Sequence, residues 1–175
     1  MLRWKGMGTR SETVIWDGHA MIVLFKHWDG YPEEMMPYFR EIFQFAKDMA
    51  KDQIHWLTYA EDVAAYIIGY DCIRVREEMS KGMLSCANVD FRPIGKIADC
   101  VEYVYIVDVT RASWKIDCYE VVDYKRFWRL SRRGRDRLYM AIIKGEKNEM
   151  LRLIAHEELK LVEEEAPEEA RIIVD

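Results

Sequence analysis

The hydrophobic and polar positions near the N-terminus form two short runs that are typical of β-strands. Residues 13–16 and 21–27 are rich in β-branched and aromatic side chains, and Asp17-Gly18 lies between them. An Asp-Gly pair between two such runs is a strong signal for the tight turn of a hairpin. The pattern therefore predicts a β-hairpin near the start of the chain.

Farther along the chain, the pattern changes to the spacing of amphipathic helices. After Pro32, apolar residues recur at helical intervals, and they are Met36, Phe39, Ile42, Phe43, Ala46, Met49 and Ala50. This spacing predicts a helix with one apolar face. Thr58 and Glu61 form a capping-box pattern ahead of a second predicted helix, which Gly69 is placed to end.

The central part of the chain returns to strand-like patterns. Residues 80–99 carry mixed turn signals and are predicted to form a loop with one short strand. Val101, Tyr103, Tyr105 and Val107 then alternate with Glu102, Val104, Ile106 and Asp108, and residues 114–122 are again rich in β-formers. These two runs predict a second hairpin with its turn at residues 110–113.

Helical spacing resumes after the second hairpin. It predicts one helix from about residue 123 to 144 and another from 147 to 165. The order of elements predicts an α+β fold, with an antiparallel sheet built from two hairpins, packed with helices, and a helical C-terminal segment. The length of 175 residues predicts one domain. We expect an α+β core at residues 7–122 and a charged extension at residues 123–175.

Composition narrows the class of protein. Half of the residues are apolar, yet the apolar runs are shorter than the roughly 18 residues of a membrane span. The N-terminus also lacks the apolar stretch of a secretion signal. We therefore expect a cytoplasmic protein without a membrane partner. Only two Asn and two Gln accompany 57 charged side chains, a balance that is a tendency of thermophilic proteins.

The cysteines and glycines argue against a metal or a bound cofactor. The four cysteines are Cys72, Cys86, Cys100 and Cys118, and they form no Cys-x-x-Cys pair and have no His at ligand spacing. In a reducing compartment they are expected to be small buried residues. Gly6-Met7-Gly8 lacks the strand before it and the helix after it that a phosphate-binding loop needs. No metal and no cofactor are predicted.

Charge is distributed unevenly toward the C-terminus. Residues 124–144 carry eight basic side chains and one acidic one, whereas residues 145–175 carry ten acidic and four basic ones. The net charges of +7 and −6 would let the two segments neutralise one another. The apolar positions Leu151, Ile154, Leu159 and Val162 must also be buried. The two features together predict a homo-oligomer formed through the C-terminal helices.

The basic segment also suggests an alternative, in which it binds nucleic acid. At helical spacing, one face would carry the arginines Arg126, Arg129, Arg133 and Arg137. Tyr124, Phe127 and Trp128 lie nearby and could stack on bases. The overall charge of −5 favours a solvated helix paired with the acidic residues instead. Nucleic-acid binding is therefore not the preferred interpretation.

Two short motifs resemble those of a family of small uncharacterised proteins from phages, bacteria and archaea. They are Gly8-Thr9-Arg10-Ser11 and the aromatic-Asp-Gly-Tyr-Pro turn at residues 28–32, and the likeness extends over residues 8–122. That family commonly has a glycine-rich segment after the proline, where this chain has Glu33-Glu34-Met35-Met36. The resemblance implies no activity, and it leaves open whether Met1 or Met7 is the native start.

The loop at residues 27–32 is the main candidate site. Asp29, Gly30 and Pro32 have the chemistry of a tight turn, which is a purely structural explanation. The functional interpretation is that His27, Asp29 and Tyr31 gather at a strand end, with Arg10 close by if the hairpin pairs in register. The structural interpretation is preferred.

Three hypotheses follow for the function. The first is a non-catalytic accessory or binding protein, which uses the loop at residues 27–32 to recognise a protein partner. The second is a small hydrolase in which His27 or Asp29 acts as the base and Arg10 holds an anion. The third is nucleic-acid binding through residues 125–137. The sequence alone does not choose an activity.

Overall fold

The computed structural model describes residues 8–83, 89–91, 100–111 and 113–161. The helices are α1 (Pro32–Ala50), α2 (Ala60–Ser80), α3 (Tyr124–Phe127) and α4 (Arg132–Ile143), with a short 3-10 helix at Ile54–Thr58. The strands are β1 (Arg10–Trp16), β2 (Met21–Lys26), β3 (Val89–Phe91), β4 (Val101–Arg111), β5 (Ser113–Val121) and β6 (Leu151–Lys160). None of the helices in these ranges is long and apolar enough to cross a membrane.

The described strands form a mixed six-stranded sheet in the order β3-β2-β1-β4-β5-β6. The α+β class is confirmed, but the prediction of a wholly antiparallel sheet is wrong. Although β1 pairs antiparallel with β2, and β4 with β5, β1 and β4 run parallel at the centre. The reason is the connection: the segment between the hairpins contains α1 and α2, and such a long crossover allows a parallel neighbour.

Helices cover both faces of the sheet. On one face, α1 and α2 pack against side chains such as Ile15, Leu24 and Trp114. On the other face, α3 and α4 pack against Val14 and neighbouring apolar side chains. Successive residues of β1 therefore contribute to opposite cores, as the alternation of a strand requires.

The predicted C-terminal helix at residues 147–165 is wrong, because residues 151–160 form strand β6 along the free edge of β5. A bulge opposite Cys118 and Tyr119 skips Ile154 in the pairing. A bulge adds one residue to a strand and so shifts which positions face the core after it. The apolar residues of β6 therefore have a spacing that resembles that of a helix. Leu151 is buried against α4, and Val162 lies outside the described residues.

The single helix predicted at residues 123–144 is also wrong, since two caps divide it. Asp123 accepts a hydrogen bond from the amide of Arg126 at the start of α3. Ser131 accepts one from the amide of Gly134 at the start of α4. Both are typical N-cap contacts, so a second helix begins where one continuous helix was expected.

Helix α2 begins where it was predicted but is capped differently and runs farther. Thr58 donates its hydroxyl to the carbonyl of His55, so the predicted capping box does not form. The amide of Ala60 instead donates to Asp17 Oδ2, from the first hairpin turn. The helix then continues through Gly69 to Ser80, so the predicted end at Gly69 is wrong.

Candidate functional site

The loop between β2 and α1 is held to the sheet at Gly30. Its amide donates to the carbonyl of Thr9 at 2.9 Å, and its carbonyl accepts from the buried hydroxyl of Tyr105 at 2.8 Å. A β-carbon on Gly30 would lie only 2.7 Å from Ser11 Oγ. Asp29 has φ of +56°, as a tight turn requires. These contacts give the motif a structural role as a pinned turn.

The four residues of the predicted site occupy different surroundings at this end of the sheet. Arg10 opens β1 beside Ser11, which pairs with Lys26, so it lies near the start of the loop. The His27 ring packs on Phe25, with ring centroids 4.8 Å apart. Asp29 is exposed.

Tyr31 is half-buried at the N-cap of α1. Burial and then the carboxylates of Glu34 and Asp29 raise the pKa of Tyr31. Tyr31 and Asp29 are thus coupled electrostatically, and the proposed catalytic use of His27 stays a prediction.

A second group of polar residues, which the sequence analysis missed, lies between this end of the sheet and the helices α1 and α2. Lys26, the last residue of β2, is only 3% exposed, and its Nζ lies 4.3 Å from the centroid of the Tyr38 ring on α1. Arg74 on α2 lies against the same ring, with Cζ 5.4 Å from its centroid. Two cations therefore meet at one tyrosine.

Arg74 contacts two carboxylates of its own helix: Glu78, whose Oε1 lies 3.9 Å from Arg74 Nε, and the buried Asp71. Asp71 Oδ1 lies 3.5 Å from Arg74 Nη2, and Asp71 Oδ2 accepts a hydrogen bond from the amide of Val89 on β3. The Asp71 side chain is fully buried. We name Lys26, Tyr38, Asp71 and Arg74 the lysine cluster.

The electrostatics of the lysine cluster differ from those of surface charges. Burial, and next the charge of Arg74, lowers the pKa of Lys26 to about 8. Burial, and next the charge of Asp71, raises the pKa of Tyr38, so its hydroxyl keeps its proton. The Tyr38 hydroxyl interacts with the Asp71 side chain, and Arg74 Nε lies 3.9 Å from Glu78 Oε1, which is beyond hydrogen-bond distance. A buried donor without an acceptor at hydrogen-bond distance is costly.

The sequence contained a weak signal for this cluster. In β2, strand alternation places Lys26 on the same face as Ile22 and Leu24, which is an unusual position for a lysine. Ending the second helix at Gly69 excluded Asp71 and Arg74 from the predicted helix. Their relation to Lys26 depends on tertiary packing, which local patterns do not encode.

The candidate nucleic-acid residues do not lie on one continuous helix. Arg126 is on α3 and contacts Asp123 and Glu149, whereas Arg129 lies in the turn before α4. Arg133 and Arg137 are exposed on α4. A shallow depression of about 340 Å³ on α4 is lined by side chains of both charges, Asp136, Arg137, Met140, Ala141, Lys144 and Glu146. This mixture is unlike the uniformly basic surface that binds phosphates.

The cysteines only partly follow the expectation that all are buried. Cys118 is buried on β5, and its burial raises the pKa of the thiol to about 12. Cys72 is exposed on α2, so the expectation is wrong for that residue. Cys86 lies outside the described residues.

Comparison with family models, with curated proteins and with solved structures gives no match to this chain. The resemblance noted in the sequence therefore rests on its two short motifs alone. The site has to be interpreted from its own geometry.

Proposed function

We propose that the protein is a binding protein for a small acidic compound, and that the lysine cluster holds the carboxylate or phosphate group of this ligand. The observation that carries the proposal is the meeting of two cations, Lys26 and Arg74, at the buried ring of Tyr38, where Arg74 Nε lacks an acceptor at hydrogen-bond distance. Charge-assisted hydrogen bonds from such donors are the usual means of holding an acidic group.

The charge balance within the cluster supports an anion as the ligand. Asp71 already accepts a hydrogen bond from the amide of Val89, which uses part of its capacity as an acceptor. Arg74 lies 3.5 Å from Asp71 and 3.9 Å from Glu78, whereas the buried Lys26 makes no ion pair within the described residues, and a buried charge without a paired ion is unfavourable. Arg74 gives the cluster a route to solvent, because its side chain is 36% exposed.

The sequence predicted an accessory or binding protein, and this proposal adds the chemical class of its ligand. The loop at residues 27–32 would frame the site, since it follows Lys26 directly and is pinned at Gly30. Recognition of a protein partner by the same loop stays a prediction. The hydrolase that uses His27, Asp29 and Arg10 is an alternative proposal, and it requires measurable turnover that depends on His27.

The test is binding of simple anions to the full chain, measured by calorimetry and by the shift of the thermal midpoint. Phosphate, lactate and chloride serve as probes at equal ionic strength. We expect phosphate or lactate to raise the midpoint more than chloride does, and Arg74→Gln to abolish the difference. Stabilisation by a ligand that binds only the folded state follows directly from mass action.

Arg76→Gln is the matched control, because Arg76 is exposed on the same helix, two residues farther along. It should keep the response of the native protein. If Arg74→Gln and Arg76→Gln respond to the anions equally, or if neither phosphate nor lactate exceeds chloride, the proposal is wrong.

A further inference from the structure

We propose that Lys26 is a nucleophile, whose amine condenses with the carbonyl carbon of a 2-oxo acid while Arg74 holds the acid's carboxylate. This inference rests on the proposed function and names the class of ligand. It uses the position of Lys26 and Arg74 against one tyrosine ring, with Nζ at 4.3 Å and Cζ at 5.4 Å from the centroid. A small 2-oxo acid carries its carbonyl and its carboxylate on adjacent carbons, so it suits two neighbouring groups.

Burial distinguishes Lys26 from a lysine that merely holds an anion. Its amine is covered by the Tyr38 ring and the surrounding core, and within the described ranges it makes no ion pair. A lysine that is desolvated and lies beside another cation is kept partly neutral, which is how lysine nucleophiles are activated. The pKa of about 8 for Lys26 agrees with this geometry.

The chemical step is a balanced condensation. The lone pair of Nζ forms a bond to the carbonyl carbon, and a proton passes from nitrogen to the former carbonyl oxygen to give a carbinolamine. The carbinolamine hydroxyl then leaves as water with the remaining proton of the nitrogen, while the nitrogen lone pair forms the C=N bond of the imine, with no oxidation or reduction. Nothing besides the amine and the carbonyl compound is consumed.

Tyr38 is suitably placed to assist this step. Its hydroxyl is buried and keeps its proton, because burial and the neighbouring Asp71 carboxylate raise its pKa. A neutral hydroxyl can donate a hydrogen bond to the oxygen on which negative charge develops. The proposal therefore assigns Tyr38 the role of donor to the carbonyl oxygen.

The experiment traps the imine in the full chain. Protein is incubated with pyruvate and sodium cyanoborohydride near neutral pH, and the labelled lysine is identified by peptide mass spectrometry. The neutral fraction of an amine with a pKa of about 8 exceeds that of an ordinary lysine on the order of 100-fold. We expect the reduced pyruvate adduct on Lys26 to exceed that on the exposed Lys115 by a comparable factor.

Two variants provide the controls. Lys26→Arg keeps the positive charge but has no nucleophilic amine, so it should lose the adduct. Lys47→Arg is the matched control, because Lys47 also lies over an aromatic ring, that of Phe43, at 5.6 Å. It should keep the adduct on Lys26. Peptide mapping of the native chain identifies the lysine even if Lys26→Arg does not fold.

The outcomes separate this inference from the proposed function. If lactate and pyruvate both stabilise the protein but no adduct forms on Lys26, binding stands and the nucleophile is wrong. An adduct spread evenly over exposed lysines also overturns the inference. If neither compound stabilises the protein and no adduct forms, the proposed function fails as well.

Discussion

Arg135 on α4 reaches Glu12 in the middle of β1, where its Nη1 lies 2.9 Å from Glu12 Oε1 and both side chains are fully buried. Tyr139 donates its hydroxyl to the other oxygen of the same carboxylate. The Arg135 guanidinium also packs on the Phe127 ring, with Cζ 4.6 Å from the centroid. One ionic group therefore joins the sheet to both helices of its second face.

The first prediction concerns this ion pair. Arg135→Met removes the guanidinium from the buried Glu12 carboxylate, so we expect a loss of about 3–5 kcal/mol in the free energy of unfolding. Tyr139→Phe removes one hydrogen bond and should cost about 1–2 kcal/mol. The double variant Glu12→Gln/Arg135→Met should lose less than Arg135→Met alone. Urea unfolding measures all three, and a double variant that loses as much as Arg135→Met alone, or more, would contradict the expectation.

The second prediction compares two glycines. Gly30→Ala places a β-carbon 2.7–2.8 Å from three atoms of Ser11, including its backbone nitrogen. The loop cannot move away easily because Gly30 is hydrogen-bonded on both sides, so we expect a loss of several kcal/mol, on the order of 3. The free energy of unfolding by urea provides the measurement.

Gly69→Ala is the control for this substitution. No atom lies within 4 Å of the added β-carbon, and the position is inside α2. Alanine has the higher helix propensity, so this change should stabilise the protein by about 1 kcal/mol. If both substitutions have the same sign, the structural role of Gly30 is misassigned.

The third prediction is the pH dependence caused by Lys26. Its pKa is about 8 in the folded protein and near 10.5 when exposed. Between these values the unfolded chain binds the extra proton, so the contribution of Lys26 makes stability rise from pH 8 to pH 10.5. Below pH 8, the buried charge costs the folded state up to about 3 kcal/mol.

Lys26→Met should remove this cost. We expect the variant to be more stable than the native protein at pH 7, with an advantage that narrows as the pH rises toward 10.5. Urea unfolding at a series of pH values measures the difference. Lys47→Met is the control and should run parallel to the native curve. A constant difference between Lys26→Met and the native protein would show that Lys26 is not buried as a strained cation.

The elements of the fold that could be predicted from the sequence are those whose residue patterns lie within one short stretch of the chain. Asp17-Gly18 is a turn signal, and the runs beside it pair from Ser11 with Lys26 to Trp16 with Met21. The spacing after Pro32 similarly marks α1, whose buried residues include Phe39 and Ile42. Each of these patterns is contained within about 20 residues, so neighbouring positions carry the information.

The features that the sequence did not reveal depend on contacts between distant segments. Strand β6 forms because β5 offers an open edge, and a strand's preference depends strongly on such context. The parallel pairing of β1 with β4 likewise joins residues about 90 positions apart, such as Arg10 and Val101. Self-association through C-terminal helices loses its structural basis, since β6 replaces the predicted helix; residues 162–175 lie outside the described ranges.

The candidate site shows the same division. The loop at residues 27–32 could be predicted because its turn-forming residues are consecutive in the sequence. Lys26 is adjacent to that loop, yet its partners Tyr38 and Arg74 come from two different helices. A lysine at the end of an apolar strand becomes significant only when the surfaces that bury it are known.

The last prediction concerns Asp17, which links the first hairpin turn to α2. Its Oδ1 accepts from the amides of His19 and Ala20, and its Oδ2 accepts from the amide of Ala60 at 3.0 Å. Burial alone would raise the pKa of Asp17, but these three amides together lower it below its usual 3.8. Stability from the ionised carboxylate is therefore present above pH 4 and is lost as the pH falls through the folded pKa.

Asp17→Ala should cost about 1–2 kcal/mol near pH 7, because it removes a helix cap as well as a turn contact. The cost should shrink as the pH falls below 4, where the native carboxylate becomes protonated. Asp108→Ala is the matched control, since within the described residues the Asp108 carboxylate accepts hydrogen bonds only from Thr110, in its own hairpin turn. It should cost less than Asp17→Ala. The measurement is the free energy of unfolding of each protein between pH 3 and pH 7. An equal cost of Asp17→Ala at pH 3 and pH 7 would show that the ionised carboxylate does not stabilise the helix N-terminus.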